Sequence, residues 1–199
     1  MNAQLQPVAQ AQPSFFKNSG KCLKLLQELE LPDNTFLFTA DATSMYTNID
    51  TDVALKIIPE YLFSNEEKFG YDAETLTAAL HIVFRNNLFR FGDKYAKQTS
   101  GTAMGKRPAP PWATLFFGIK ESGLCSNKGF LKKFEDNLLF YKRYLDDILS
   151  IWLAHPDPAT DAKLWQDLKD EINDFQGVGM DIYRAYKGRC CLYGYVSFD

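Results

Sequence analysis

YKRYLDDILSIW, residues 141–152, is the stretch of sequence that decides the fold. Apolar and β-branched residues on both sides of the acids predict two strands within 137–153, joined by a tight turn at Leu145, Asp146 and Asp147. Adjacent carboxylates at a hairpin tip repel each other and lose hydration on burial, and a divalent metal ion would compensate for both costs. A solvated turn, which aspartate also favours, explains the doublet equally well by itself.

A third carboxylate follows a different predicted strand. Residues 35–40, TFLFTA, are apolar and β-prone, so they predict a buried strand with Asp41 at its C-terminal end. Phosphoryl transfer uses Mg²⁺, which prefers carboxylate oxygens, and a pair of ions about 4 Å apart can hold both the attacking and the leaving oxygen. We therefore expect Asp41, Asp146 and Asp147 to converge on one acidic, partly open site, although Asp41 is distant in sequence from the other two.

The other elements alternate along the chain. Apolar spacing and turn residues predict helices, a hairpin turning at Gly92 and Asp93, and two C-terminal strands. Phe84, Leu88 and Phe89 are expected in the core. This order predicts an α+β fold with a mixed or antiparallel sheet and helices packed on one face. The predicted helices cover 21–30, 51–63, 73–88, 111–124 and 159–175, the hairpin covers 88–98, and the last strands cover 180–186 and 190–198.

Length and composition favour one domain. A chain of 199 residues with 46% hydrophobic content can bury a single core. Residues 1–14, MNAQLQPVAQAQPS, lack the pattern of a signal peptide and are expected to be a flexible lead before a globular unit over 15–199. No apolar run approaches the roughly 18 residues of a membrane span. The four cysteines lack metal-ligand or disulfide spacing, which favours the cytoplasm or nucleus over secretion.

A glycine-rich segment precedes the fourth predicted helix. QTSGTAMGKRPAPPWATLFFG, residues 98–118, has small residues at Gly101, Ala103 and Gly105, where backbone can approach a nucleotide closely. Read alone, the segment is also explained as a loop that caps a helix beginning near its prolines.

Three segments, in this order, resemble the palm motifs of reverse transcriptases. DATSMYTNID (41–50) resembles the first motif, residues 98–118 resemble the glycine-rich second, and YLDD (144–147) resembles the paired-acid motif. The resemblance runs from about residue 31 to the C-terminus. The sequences of 101–118 and 141–152 are similar to those of the reverse transcriptases of Penelope-like retroelements. VSFD (196–199) resembles a shortened FLD signature.

The resemblance implies a polymerase palm and an RNA-directed DNA polymerase of a retrotransposon, which adds dNTPs to the 3′-hydroxyl of a DNA primer along an RNA template. It makes the three aspartates the catalytic ligands of two Mg²⁺ ions, with Mn²⁺ as a substitute. Tyr46 becomes the gate that excludes a 2′-hydroxyl, and Lys187 becomes either a proton donor to pyrophosphate or a solvated turn residue. The implied substrate-binding set is completed by Ala42, Gln98, Gly101 and Gly105.

Basic finger strands and a thumb are expected to be largely absent from this chain, so that missing segments or a longer native chain supply the positive surface. This explains a net charge of −3, which is unusual for a nucleic-acid protein. We therefore expect weak binding of primer and template and little processive synthesis by the chain alone. Three functions stay open: a reverse transcriptase, another palm enzyme such as an RNA polymerase or a nucleotide cyclase, and an idle retroelement remnant that only binds nucleic acid or a partner. Tyr46 argues against the second.

Overall fold

The computed structural model describes residues 1–123, 130–173 and 180–184. In these ranges the chain forms helices and strands in an interleaved order, as the sequence predicts. The helices are α1 (Asn2–Gln10), α2 (Ser19–Gln27), α3 (Met45–Asn48), α4 (Thr51–Ser64), α5 (Glu66–Phe69), α6 (Ala73–Arg85), α7 (Ala109–Ser122), α8 (Phe130–Lys133) and α9 (Pro158–Asn173). The strands are β1 (Thr35–Ala42), β2 (Leu88–Phe91), β3 (Lys94–Lys97), β4 (Leu138–Tyr144), β5 (Asp147–Leu153) and β6 (Met180–Arg184).

The central sheet has the strand order β4-β5-β1-β6, and every neighbouring pair is antiparallel. Strand β1 therefore lies between the acid-tipped β4–β5 hairpin and β6. The second sheet is the separate β2–β3 hairpin, with its turn at Gly92 and Asp93 as predicted. The antiparallel sheet of the predicted fold class is confirmed.

The side chains of β1 alternate between two cores, as a strand requires. Phe36 and Phe38 belong to the main core, which also contains buried residues of α1, α4, α6, α7 and α9, whereas Leu37 faces a smaller cluster. Trp165 of α9 packs edge-on against Phe38, with ring centroids 4.9 Å apart. The predicted α+β fold class is thus confirmed, with α1, α4, α6, α7 and α9 packed on this face of the sheet.

The opposite face of the sheet carries one further helix. Cys22 and Leu26 of α2 are buried against Phe140 and Ile151. Because successive residues of a strand point to opposite faces, this is also the face toward which Asp41 and Asp147 project. Helix α2 therefore covers part of the face that carries the acids, which the expected one-sided packing did not include.

The expectation of a flexible lead over residues 1–14 is wrong. Residues 2–10 form α1, and Leu5 and Val8 are completely buried in the main core. Gln12 follows with two hydrogen bonds, its Nε2 donating to the Val8 carbonyl at 3.1 Å and to the Tyr61 hydroxyl at 3.2 Å. The physical reason is that apolar positions three residues apart form a helical stripe, which can bury against a partner helix despite Gln-rich surroundings.

The expected core residues at the end of α6 and the expected last strand have different outcomes. Phe84 is buried as expected, but Leu88 and Phe89 are exposed because β2 leaves the core at the end of α6. The predicted strand at 190–198, together with Lys187 and VSFD, lies outside the described residues. Within the described ranges, no helix is long and apolar enough to cross a bilayer.

Candidate metal centre and nucleotide pocket

Strand pairing brings the first and third aspartates side by side. Asp41 of β1 is the register partner of Asp147 of β5. At the same end of the sheet, the Ala42 N–H donates to the Asp146 carbonyl at 3.1 Å, which extends the pairing beyond the end of β5. The sheet itself, rather than a loop, therefore fixes the spacing of the acids.

The turn between β4 and β5 is as short as a hairpin allows. Tyr144 pairs with Asp147, so Leu145 and Asp146 are its two loop residues. Leu145 has a φ of 55°, and a left-handed conformation costs a non-glycine residue roughly 1–2 kcal/mol. A conformation of this cost persists when the surrounding structure holds it in place.

Asp41, Asp146 and Asp147 form one cluster. Each offers a carboxylate oxygen, and these oxygens all lie within 4.8 Å of one another. Partial burial raises the pKa of Asp147, and the negative charges of Asp146 and Asp41 raise it further. The predicted convergence of the three acids is confirmed.

The chemistry of this donor set fits a divalent cation. Mg²⁺ takes oxygen ligands and keeps several waters, so it needs a few carboxylates at a partly open position rather than a closed cage. The three carboxylates are at least partly exposed and close enough to share an ion. Burial and the negative charges of Asp146 and Asp41 raise the pKa of Asp147, and a bound cation would offset the repulsion between these carboxylates.

Tyr46 lies beside the acid cluster. It belongs to α3, the short helix that follows β1, and it is half-buried against the main core. Burial raises the pKa of its hydroxyl, and the neighbouring Asp146 and Tyr144 raise it further. Tyr46, which the resemblance makes the sugar gate, is thus close enough to Asp146 to interact with it electrostatically.

The glycine-rich loop is bound to α3. The Thr102 N–H donates to the Tyr46 carbonyl at 2.6 Å, and the Thr51 hydroxyl donates to the Gly101 carbonyl at 3.1 Å. At Gly101, whose φ is 76°, a Cβ would lie 2.5 Å from the carbonyl oxygen of Thr47. Only glycine allows this approach of the two backbones, which places the loop beside Tyr46.

The structure places the other predicted residues differently. Ala42 is buried in the main core, so its side chain is not directed at the acid cluster. Gln98 donates from its side chain to the Ser100 carbonyl at 2.8 Å, and Gly105 has open space where a Cβ would be. Gly101 therefore contacts the helix that carries Tyr46, whereas Ala42 is joined to this region through its backbone hydrogen bond to Asp146. Lys187 is outside the described residues.

A buried ion pair behind the acid hairpin was missed by the sequence analysis. The Arg143 Nε donates to Glu121 Oε1 at 2.6 Å, and both side chains are almost completely buried. Glu121 also accepts hydrogen bonds from the Tyr141 and Ser14 hydroxyls. Arg143 Nη1 then donates to the carbonyl of Leu145 at 2.9 Å, so the ion pair reaches the strained turn residue directly.

Sequence patterns contain a signal for this pair. Glu121 is an acid in the last turn of the mostly apolar α7, where the helix dipole disfavours negative charge. Arg143 is a cation in β4, whose other residues except Lys142 are apolar or aromatic. Charged residues in buried elements are almost always paired, so each predicts an opposite charge although neither identifies its partner.

Two cavities adjoin the acids on the face covered by α2. One has a volume of about 580 Å³ and reaches from Asp147 and Tyr144 to Cys22 and Leu26. The other, of about 390 Å³, is lined by both Asp41 and Asp147. Small-molecule sites have volumes of roughly 300–1,000 Å³, so this face has room for a nucleotide-sized group next to the carboxylates.

An antiparallel sheet with acids at the end of its central strands, and helices on its main face, defines a polymerase palm fold. Solved structures agree. Telomerase from Candida albicans, in complex with a fragment of telomeric RNA, matches 94% of this chain and 35% of its own with a TM-score of 0.65 and 13% identity. Telomerase from Candida tropicalis, truncated from its C-terminal domain, matches 94% of this chain and 39% of its own with a TM-score of 0.61 and 13% identity.

An RNA polymerase is similar as well. The RNA-dependent RNA polymerase of BmCPV matches 92% of this chain and 18% of its own, with a TM-score of 0.61 and 11% identity. The chain thus spans less than half the length of each of these three proteins. No protein-family profile matches the sequence, and no curated protein sequence matches it. At these identities the similarity establishes the fold.

Proposed function

We propose that this chain is the palm of an RNA-directed DNA polymerase, encoded by a retroelement similar to the Penelope-like elements. The observation that carries the proposal is the convergence of Asp41, Asp146 and Asp147, with carboxylate oxygens within 4.8 Å, at the end of a polymerase palm sheet. The reaction is transfer of a deoxynucleotide to a primer 3′-hydroxyl along an RNA template. The proposed palm includes α1 as well as the predicted 15–199 unit, because Leu5 and Val8 are buried in the same core. Other polymerase parts would be supplied by further segments.

The three aspartates would hold two Mg²⁺ ions, or Mn²⁺ in their place. Such ions lower the pKa of the attacking hydroxyl and stabilise charge on the phosphoryl oxygens when they are bound. The protein's own contribution is positional. Pairing of β1 with β5 sets the spacing of Asp41 and Asp147, and Arg143 holds the turn that presents Asp146. Lys187 is retained in this proposal as a candidate proton donor to pyrophosphate.

Tyr46 distinguishes DNA synthesis from RNA synthesis in this proposal. Its ring is half-buried beside Asp146, and the Gly101 backbone lies against the same short helix. A ring packed beneath the sugar occupies the space of a 2′-hydroxyl, so a ribonucleotide binds less well. An RNA polymerase is the second candidate, because the BmCPV enzyme has the same fold.

The proposed partners are an RNA template, a DNA primer and dNTPs, bound against the face of the sheet that carries the acids. Ala42 contributes through its backbone, while Gln98, Gly101 and Gly105 shape the nucleotide pocket. The proposed location is the nucleus or cytoplasm. If the chain is an idle remnant, it binds nucleic acid without transferring nucleotides, which the following experiment separates from catalysis.

The decisive experiment is single-nucleotide addition to a DNA primer on an RNA template, with the 199-residue chain in excess and at low salt. We expect Mg²⁺- or Mn²⁺-dependent addition that Asp146→Asn abolishes. Asp33→Asn, which changes an exposed acid in the turn before β1, should have no effect. Mn²⁺ binding, followed by electron paramagnetic resonance, should fall in the first variant and persist in the second. Metal binding without any addition would instead support the remnant.

The sugar gate is tested by the same assay with matched deoxy- and ribonucleotides. Steric exclusion by a relaxable pocket is worth about 1–3 kcal/mol, so we expect roughly tenfold to a few hundredfold preference for the deoxynucleotide. Tyr46→Ala should reduce this preference, whereas Tyr46→Phe should preserve it because the ring remains. Equal use of both sugars by the unmodified chain would favour an RNA polymerase.

A further inference from the structure

The β2–β3 hairpin exposes apolar side chains on both of its faces. Leu88 is 70% exposed, Phe89 54%, Phe91 83% and Tyr95 73%. Exposed aromatic residues concentrated on one short element are unusual in a protein surface, and they mark an interaction site when they are contiguous. A two-stranded hairpin is also marginally stable by itself, so a bound partner would stabilise it.

The two faces of the hairpin differ in how their rings are engaged. On one face, the Arg90 guanidinium lies 6.0 Å from the ring centroid of Tyr95, its cross-strand partner. Arg90 also donates to the Gly92 carbonyl at 2.7 Å. This face is therefore already organised by contacts within the hairpin.

The other face presents Phe89 and Phe91, with Lys94 directly across from Phe91. Among the described residues, no aromatic, cation–π or ion-pair contact involves these three side chains. We call this surface the Phe89–Phe91–Lys94 face. Within the part of the chain that the structure describes, it combines two rings and one cation that make none of these contacts.

The hairpin is connected directly to the nucleotide pocket. Strand β3 ends at Lys97, and Gln98 closes the base of the hairpin through its N–H, which donates to the Asn87 carbonyl at 2.8 Å. Gly101, which lies against Thr47, follows Lys97 by four residues. Four residues span at most about 14 Å, so the base of the hairpin lies close to the pocket beside Tyr46.

Charge indicates which partner fits this face. The hairpin has three cations, Arg90, Lys94 and Lys97, and one acid, Asp93, in a chain whose net charge is −3. The centre of a protein interface is depleted in lysine, whereas single-stranded nucleic acid is bound by aromatic rings that stack on bases and cations that contact phosphates. We propose that the Phe89–Phe91–Lys94 face binds single-stranded nucleic acid. Its identification as the template strand rests on the proposed function, but the binding does not.

The test is fluorescence anisotropy with the 199-residue chain, a labelled 16-nucleotide oligo(dT) and, separately, oligo(U). EDTA is present, so that binding is measured without metal or catalysis. Phe89→Ala and Phe91→Ala should each weaken binding about fivefold to more than a hundredfold, as the loss of one stacked base predicts. Lys94→Gln should lower the slope of log affinity against log salt by about 0.7. Matched controls on α4 are Phe63→Ala, which removes an exposed ring, and Lys56→Gln, which removes an exposed cation.

Each outcome decides the matter. Weakening by the hairpin variants, with unchanged controls and unchanged thermal unfolding, supports the inference even if nucleotide addition fails, and thus separates it from the proposed function. Absence of oligonucleotide binding, or equal binding by all variants, overturns it. A hairpin-dependent change in sedimentation of the chain alone, without an effect on oligonucleotide binding, would overturn it in favour of self-association.

Discussion

Asp147 shows how the chemistry of the site opposes the stability of the fold. Its pKa is raised by partial burial and by Asp146 and Asp41, so ionising this carboxyl group costs more in the folded chain than in the unfolded chain. A carboxyl group with a raised pKa destabilises the fold when it is ionised, and this penalty disappears as the pH falls through that pKa. Acids gathered for a metal ion therefore reduce stability near neutral pH until the ion is bound.

The first prediction follows from the upward direction of the Asp147 pKa shift. In EDTA at neutral pH, Asp147→Asn should raise the free energy of unfolding, by less than about 1 kcal/mol because the group is exposed and screened. The gain should shrink as the pH is lowered into the range where Asp147 protonates. With saturating Mg²⁺ the unmodified chain should become more stable than Asp147→Asn, since an ion that binds the folded state stabilises the unmodified chain. Urea unfolding over a pH series measures all three effects, with Asp33→Asn as the control.

Two glycines of the same loop provide a second prediction at this scale. Gly101 and Gly105 both have positive φ, 76° and 86°, but only at Gly101 would a Cβ meet backbone, that of Thr47. Gly105→Ala should cost about 1–2 kcal/mol for the conformation alone. Gly101→Ala should cost about 1–3 kcal/mol more and displace the loop from Tyr46. Chemical denaturation compares them, and equal costs would show that the loop does not lie against α3.

At the scale of elements, local patterns were sufficient for much of the sheet. The apolar flanks of YLDD and the strand before Asp41 predicted β1, β4 and β5 because alternation and tight turns are properties of neighbouring residues. Convergence of the three acids followed from chemistry. The Arg143–Glu121 pair could not be predicted, because it joins a strand to a helix and the sequence does not specify which buried charges meet. The exposure of Leu88 and Phe89 was missed for a related reason: an apolar pattern does not specify which surface, if any, covers it.

The third prediction concerns that ion pair. Arg143→Met leaves Glu121 buried without its cation and should cost about 3–5 kcal/mol of unfolding free energy. Adding Glu121→Gln removes the uncompensated charge, keeps an acceptor for the Tyr141 hydroxyl, and should recover much of the loss. The exposed pair of Arg85 and Asp52 is the control, where Arg85→Met should cost less than about 1 kcal/mol.

Metal binding by the same variants shows whether Arg143 positions the acid turn or only stabilises the fold. The double variant still lacks the hydrogen bond from Arg143 to the Leu145 carbonyl, which holds the turn that presents Asp146. It should therefore remain folded while its Mn²⁺ affinity, measured by electron paramagnetic resonance, falls below that of the unmodified chain. Full Mn²⁺ affinity in a folded double variant would show that Arg143 only stabilises the core.

At the scale of the whole molecule, the N-terminal segment connects the main core to the acid hairpin. The Ser14 carbonyl accepts from the Arg143 N–H at 2.7 Å, and the Ser14 hydroxyl donates to Glu121. At Gly118 of α7, a Cβ would lie 2.7 Å from the side chain of Gln12, so the segment is packed tightly against that helix. Its Gln- and Ala-rich composition concealed this role, since composition reports average polarity and not the stripe formed by Leu5 and Val8.

The last prediction tests whether this segment is part of the fold. Leu5 is completely buried, and truncating a buried leucine costs about 2–5 kcal/mol through lost burial and the cavity left behind. Leu5→Ala should therefore lower the urea midpoint clearly, whereas Gln6→Ala, at the exposed neighbouring position of α1, should change stability by less than about 0.5 kcal/mol. Deletion of residues 1–14 should be more damaging than Leu5→Ala, because it also removes the Ser14 contacts to Arg143 and Glu121. A deletion variant with unchanged stability would restore the flexible lead, and Mn²⁺ affinity measured on the same samples would show whether the acid hairpin depends on the segment.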